Sequence, residues 1–259
     1  MAARSSVLVT RPEGQAGPLC ARLRELGWSP VHVPLISLEP LRPLPASQRQ
    51  LVLDLDRYQH VIFISANAVR FGMEVIADYW PQLPLGIQWY AVGDSTASAL
   101  AGWGIDAATP GREMTSEGLL KLPGLLAPRD ERVLLIKGEG GRDVLATTLA
   151  RRGARVDALR CYRRGPADLT PEKLFSTLDE HAIHVVMISS GEGLANLLAL
   201  PGVAESSSLG GMAWVLPSQR VADAAMQAGL EQCVVAENAS DAAMLEALEH
   251  WYATCGGRQ

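Results

Sequence analysis

Several short turns in this sequence pair hydroxyls, glycines or cations with the end of an apolar run, and chemistry would sit there. The first is Lys137-Gly138-Glu139-Gly140-Gly141-Arg142, within LLIKGEGGRD (134–143). Strand, glycine turn and helix presents free backbone N–H groups, a general receptor for phosphate or carboxylate. A Walker loop needs GxxxxGK followed by Ser or Thr, and this turn lacks it. A dinucleotide turn needs GxGxxG. Gly138 and Gly140 supply the first two glycines, but Asp143 stands at the third, and the RCYRR segment ~20 residues on has no acidic ribose partner. What remains is an anion receptor flanked by Lys137 and Arg142, or a tight turn with solvated charges.

Hydroxyls end the other runs. Ser65-Ala66-Asn67 and Ser189-Ser190-Gly191 are natural helix N-caps, and a capped helix start also offers amides to an anion. Neither is a GxSxG elbow, so serine-hydrolase chemistry is not indicated. Asp94-Ser95-Thr96 and Ser218-Gln219-Arg220 read the same way, whereas Thr115-Ser116-Glu117 and Ala239-Ser240-Asp241 read as plain caps. Arg11, Lys137 and Arg220 are the cations that fall at run ends, which makes them candidates for carboxylate contacts. His181 and His184 form a close pair that reads as polar punctuation before a run.

The elements that must position these turns come from the runs: SVLVT (6–10), HVIFI (60–64), QWYAV (88–92), RVLLI (132–136), HVVMI (184–188) and AWVL (213–216). Runs without alternation fit strands covered on both faces. Segments between them, such as GPLCARLRELG, have helical spacing and end in glycine. The fold class is therefore α/β, with parallel sheets flanked by helices. In such sheets ligands sit outside the carboxyl ends of the strands, where the turns lie.

The chain also repeats. LVTRPEGQAGPLCARLRELG (8–27) aligns without a gap on LLIKGEGGRDVLATTLARRG (134–153), placing Arg11 over Lys137. VIFISANAV (61–69) aligns on VVMISSGEG (185–193), with Ser65 over Ser189, and AVGDSTASAL (91–100) on VLPSQRVADA (215–224), with Thr96 over Arg220. The repeat is far longer than the ~20–50 residues of a solenoid, so it indicates two similar domains. Two proline-rich stretches, 33–45 and 158–171, read as paired connections out to a middle domain and back. A simple split near residue 128, in LAPRDER, is the alternative.

Bulk properties narrow the partners. A net charge of −5 argues against nucleic acid or an anionic membrane as the main partner. No run approaches the ~20 residues of a membrane span, and the first apolar run is too short for a signal core. Four scattered cysteines with no CxxC indicate a reduced, cytoplasmic protein without a zinc site.

Taken together, LVTRPEGQA, PLISLEP, VIFISANAV, AVGDSTASAL, TSEGLL, LLIKGEGGRDVLATTLARRGARV, CYRR, ISSGEGLANL and ASDAAML resemble the uroporphyrinogen-III synthases, in the form typical of bacterial members. The resemblance spans almost the whole chain. It implies two similar α/β domains joined by a two-stranded connection. One would comprise 1–36 with 166–259 and the other 39–163, with linkers at about 34–41 and 158–168. It implies cofactor-free conversion of hydroxymethylbilane to uroporphyrinogen III, by loss of water, inversion of the last pyrrole ring through a spiro intermediate, and closure. Tyr162 in RCYRR matches the family's favoured proton donor. Ser65, Thr96, Ser189 and Ser190 match positions lining its cleft. Arg11, Asn67, Lys137, Gly138, Gly191, Ser218 and Arg220 complete the expected substrate contacts on their position at run ends. No metal or cofactor is expected. A monomer is expected, with room for a transient contact to the preceding enzyme of the pathway, and lobes that open and close. The rival reading is a hinged two-lobe receptor for small anions, without catalysis.

Overall fold

The computed structural model describes residues 5–141, 143–203, 206 and 209–254. Arg142 and Cys255 lie outside the described residues. The chain divides into two compact units, Met1–Leu38 with Gly165–Gln259, and Glu39–Arg164.

The first unit holds β1 (Ser6–Val9), α1 (Gly17–Glu25), β2 (Ser29–His32), α8 (Pro171–Glu180), β8 (Ile183–Met187), α9 (Gly191–Leu198), β9 (Ala213–Leu216), α10 (Gln219–Gln227), β10 (Gln232–Val235) and α11 (Asp241–Thr254). Its sheet runs β10-β9-β8-β1-β2, parallel throughout. The three central strands are apolar at nearly every position because each face packs on helices. Leu8, Val186, Trp214 and Leu216 face a core shared with α8, α9 and α10, while Val7, Val9, Val185, Met187 and Val215 face α1 and α11.

The second unit holds α2 (Ala46–Leu53), a 3-10 turn (Leu55–Arg57), β4 (His60–Phe63), α3 (Ala66–Tyr79), β5 (Gln88–Ala91), α4 (Asp94–Ala101), α5 (Ser116–Leu119), α6 (Pro123–Leu126), β6 (Arg132–Gly138) and α7 (Val144–Arg151). Two strands carry the chain between the units, β3 (Ile36–Pro40) and β7 (Arg155–Pro166), and both join the second sheet, in the order β3-β7-β6-β4-β5. β7, β6, β4 and β5 are parallel. β3 and β7 run antiparallel: Leu41 N–H donates to the Cys161 carbonyl, Ser37 Oγ to that of Gly165, and Ala167 N–H to that of Leu35. The proline-rich connections are thus paired strands, and the sheet is mixed at that edge.

The repeat read from sequence coincides with equivalent strands. β1 and β6, β8 and β4, β9 and β5 occupy matching places in the two orders. The six apolar runs are all strands. β2, β3, β7 and β10 are not among them, because they lie at or near sheet edges and stay partly exposed, as in SPVH and QCVV. No helix of the described residues is long and apolar enough to cross a membrane.

The pairing of β6 with β7 is irregular at one point. Lys137 pairs with Arg160 but Gly138 pairs with Tyr162, so β7 carries one extra residue, Cys161. A bulge breaks the in–out alternation of a strand. Here the adjacent residues Cys161 and Tyr162 are both buried and both approach α3: the Cys161 thiol lies 3.9 Å from the Ala68 carbonyl, and the Tyr162 ring meets Phe71.

Candidate active site

The carboxyl ends of the second sheet carry one set of groups. Ser65 follows β4 in an extended conformation and caps α3, its Oγ accepting the Ala68 N–H at 3.1 Å. Asn67 lies in the first turn of that helix. Thr96 is buried in the first turn of α4, and its hydroxyl has no hydrogen-bond partner among the described residues. At the end of β6 the Lys137 side chain is 9% exposed, and its Nζ donates to Asp143 at 3.2 Å. That pair lines a pocket of about 270 Å³ with Thr115 and Ser116. Asp143 is largely exposed, so the ion pair is open to exchange with an incoming carboxylate.

Tyr162 completes this edge. It is 5% exposed and stacks on Phe71, with ring centroids 5.1 Å apart. Its Oη lies 3.3 Å from Ser65 Oγ. Gly138 lies against the ring: a Cβ there would fall 2.7 Å from Tyr162 Cζ. Next to it, burial pushes the Cys161 thiol up to about 12, so it stays protonated and its Sγ donates to the Lys137 carbonyl at 3.4 Å.

The first sheet presents a different set. Thr10 Oγ1 donates to the Met187 carbonyl, tying the ends of β1 and β8 together. Arg11, expected to meet substrate, is engaged within the protein: it pairs with Asp241 at 2.6 Å and donates to the Ala239 carbonyl at 2.8 Å. Ser190 caps α9, accepting the Gly193 N–H at 3.0 Å. Ser189 and Ser218 have no side-chain hydrogen bond among the described residues, although Ser218 holds the N-cap position of α10. Arg220 likewise has no partner there, and its guanidinium nitrogens lie 3.7 Å from where a Cβ of Gly191 would be. Structure therefore groups Ser189, Ser190, Gly191, Ser218 and Arg220 on one unit, and Ser65, Asn67, Thr96, Lys137, Gly138 and Tyr162 on the other.

A family model described as "Uroporphyrinogen-III synthase HemD" matches residues 18–246. The uroporphyrinogen-III synthase of Escherichia coli (strain K12) is 34% identical over 199 residues, which cover 75% of this chain and 79% of that protein. The chain belongs to the uroporphyrinogen-III synthase family. The namesake from Proteus mirabilis is also 34% identical, over 172 residues, 65% of this chain and 84% of that one. As a member of this family the chain is a cyclising hydro-lyase of tetrapyrrole (haem) biosynthesis, acting on a tetrapyrrole. The fold agrees with a uroporphyrinogen-III synthetase from Helicobacter pylori 26695, at a TM-score of 0.59 and 15% identity, covering 95% of this chain and 99% of that one. A mutant uroporphyrinogen III synthase from Thermus thermophilus gives 0.55 at 20% identity, covering 95% and 98%.

Phe71 is not among the expected site residues. The sequence holds one signal for its partner's setting. In LRCYRR the residues Cys161 and Tyr162 are neighbouring apolar types between arginines, a local break of alternation that a bulge produces.

Proposed function

We propose that the chain converts hydroxymethylbilane to uroporphyrinogen III, with Tyr162 as the proton donor and the strand-end groups of both units receiving the substrate's carboxylates. One observation carries this reading: a phenol at a strand carboxyl end, fixed by stacking and by a serine hydroxyl, in a chain of the uroporphyrinogen-III synthase family.

The C–O bond of the hydroxymethyl group breaks as the pyrrole nitrogen pushes electrons toward it. Oxygen departs with the bonding pair and takes the Tyr162 proton, leaving as water. The resulting azafulvene cation is attacked by the substituted carbon of the last ring, giving a spiro intermediate that fragments and recloses with that ring reversed. The proton lost as the final ring regains aromaticity returns to the Tyr162 phenolate. A positioned acid speeds such a departure. The larger contribution is holding the chain ends so that the substituted carbon attacks first.

The bilane bears acetate and propionate arms on each ring and is strongly anionic. Arg220, Ser189 and Ser218 are donors with no protein partner among the described residues, and the amides at the starts of α9 and α10 add to them. On the other unit Thr96, Asn67 and Lys137 serve, Lys137 by exchanging Asp143. Arg11 is better read as a tie to Asp241 than as a substrate contact. The protein works as a monomer in the cytoplasm, where its thiols stay free, as Cys20, Cys161 and Cys233 are. It meets the enzyme that makes the unstable bilane only in passing.

The test is product analysis. Purified protein supplied with freshly made hydroxymethylbilane is expected to yield the type III isomer. Type I alone, the product of spontaneous closure, would overturn the reading and leave a bilane-binding receptor in its place.

A further inference from the structure

We infer that Gly138, Phe71 and Ser65 are positioning residues that act on the reaction through Tyr162, and that Gly138 and Ser65 are not themselves substrate contacts. The inference rests on Tyr162 as the proton donor.

Gly138 is the plainest case. Its neighbours Gly140 and Gly141 have φ of 71° and 84°, a backbone that demands glycine. Gly138 is not among the left-handed residues, so its backbone would accept a side chain. The Tyr162 ring would not: a Cβ at 138 falls 2.7 Å from Cζ and 2.8 Å from Cε2. Cζ is the carbon that bears the hydroxyl. A single methyl group would therefore displace the phenol oxygen itself.

The rest of the ring's setting is equally specific. Phe71, in the second turn of α3, stacks on Tyr162 with planes 26° apart. The extra residue Cys161 turns Tyr162 onto that face, and the thiol hydrogen bond to the Lys137 carbonyl holds the bulge to β6. Ser65 Oγ already accepts the Ala68 N–H. Its own O–H is then free to donate to Tyr162 Oη, 3.3 Å away, which leaves the phenol proton to face substrate. When that proton departs, the same O–H holds the phenolate beside the start of a 14-residue helix, where the dipole favours negative charge.

Kinetics of single and double variants test this with hydroxymethylbilane as substrate. Tyr162→Phe is expected to lower kcat by roughly tenfold to a hundredfold with KM unchanged. Gly138→Ala should do the same, and Ser65→Gly should lower kcat by roughly threefold to tenfold; glycine is chosen because it keeps most of the N-cap preference. Ser65→Thr, which retains a hydroxyl, should restore most of the rate. In the Tyr162→Phe background neither Gly138→Ala nor Ser65→Gly should lower kcat further. A rise in KM with kcat intact in the single variants would make these residues substrate contacts and overturn the inference. So would effects that multiply in the double variants. If wild type forms the type III isomer and Tyr162→Phe keeps full kcat, the donor assignment falls and takes this inference with it. If wild type forms only type I, it is the activity reading that fails.

Discussion

The two units are built from the same strand–turn–helix pieces, yet they put different groups at equivalent places. Over four strands the orders match, β9-β8-β1-β2 against β5-β4-β6-β7. Arg11 follows the end of β1 and is held by Asp241; Lys137 lies near the end of β6, and its partner Asp143 is mostly solvent-exposed. The strand beside β1 is β2, four residues that end at His32. The strand beside β6 is β7, twelve residues with a bulge, and it carries Tyr162. The first unit thus leaves hydroxyls and one guanidinium unpaired among the described residues, while the second builds a fixed phenol. Repetition preserves the carboxyl edge, because that edge is set by strand direction. The units then differ through a few side chains at strand ends.

The comparison sharpens or breaks on measurements of stability and binding. The largest effect is expected from Gly72→Ala in the second unit. A Cβ there meets Ile136 Cγ2 at 2.5 Å, where α3 packs closely on β6, and overpacking should cost about 1–3 kcal/mol in urea unfolding. Gly193→Ala in α9 of the first unit is the contrast: its Cβ meets nothing closer than 3.4 Å, and helix propensity should make the change neutral or stabilising. Equal losses at both sites would mean the two helices pack alike.

Within the first unit, Arg11 and Arg220 should separate structure from binding. Arg11→Gln leaves Asp241 without its partner and should cost about 2 kcal/mol of stability, read from a denaturant midpoint. Arg220→Gln, which breaks no hydrogen bond or ion pair among the described residues, should leave that midpoint in place and raise KM about tenfold through one lost charge-assisted hydrogen bond. Reversed outcomes would exchange their roles.

Alkaline pH gives an effect specific to the bulge. The Cys161 thiol ionises near 9 when exposed and at about 12 when folded. A raised folded value means its contribution is complete below about pH 9 and is lost as pH climbs toward 12, by up to about 1.4 kcal/mol per unit. Stability measured across that range should fall less steeply in Cys161→Ala, and parallel slopes would refute it. The smallest change should follow Thr170→Ala, which removes the α8 cap on Lys173 N–H together with an exposed hydrogen bond to Glu172, and should cost about 1 kcal/mol with no change in kcat or KM.

Legibility from sequence tracks burial. The six central strands are continuous apolar runs because both faces are covered, so they stand out without any structure. Edge strands such as β2 and β10 keep polar, half-exposed residues, and β7 contains Arg155, Asp157, Arg160, Arg163 and Arg164, so periodicity has little to detect. Candidate site residues at strand ends are picked out by type and place: Ser65, Ser189, Ser190, Thr96, Lys137, Ser218 and Arg220 all lie at carboxyl edges. Their engagement is not visible in the sequence. Arg11 and Arg220 look alike there, and only the approach of Asp241, at the start of α11, distinguishes them.

The order of amino acids is enough to establish the α/β class, the repeated pieces and the sheet edge at which the candidate residues gather, because these depend on local periodicity and strand direction. Only the packed fold settles which cations are free, that the connections pair as strands, and that Tyr162 is turned onto Phe71 and Gly138. Those outcomes hinge on contacts between residues far apart in the chain, such as Ser65 with Tyr162, and on a single extra residue in β7 whose effect emerges only once β6 lies beside it.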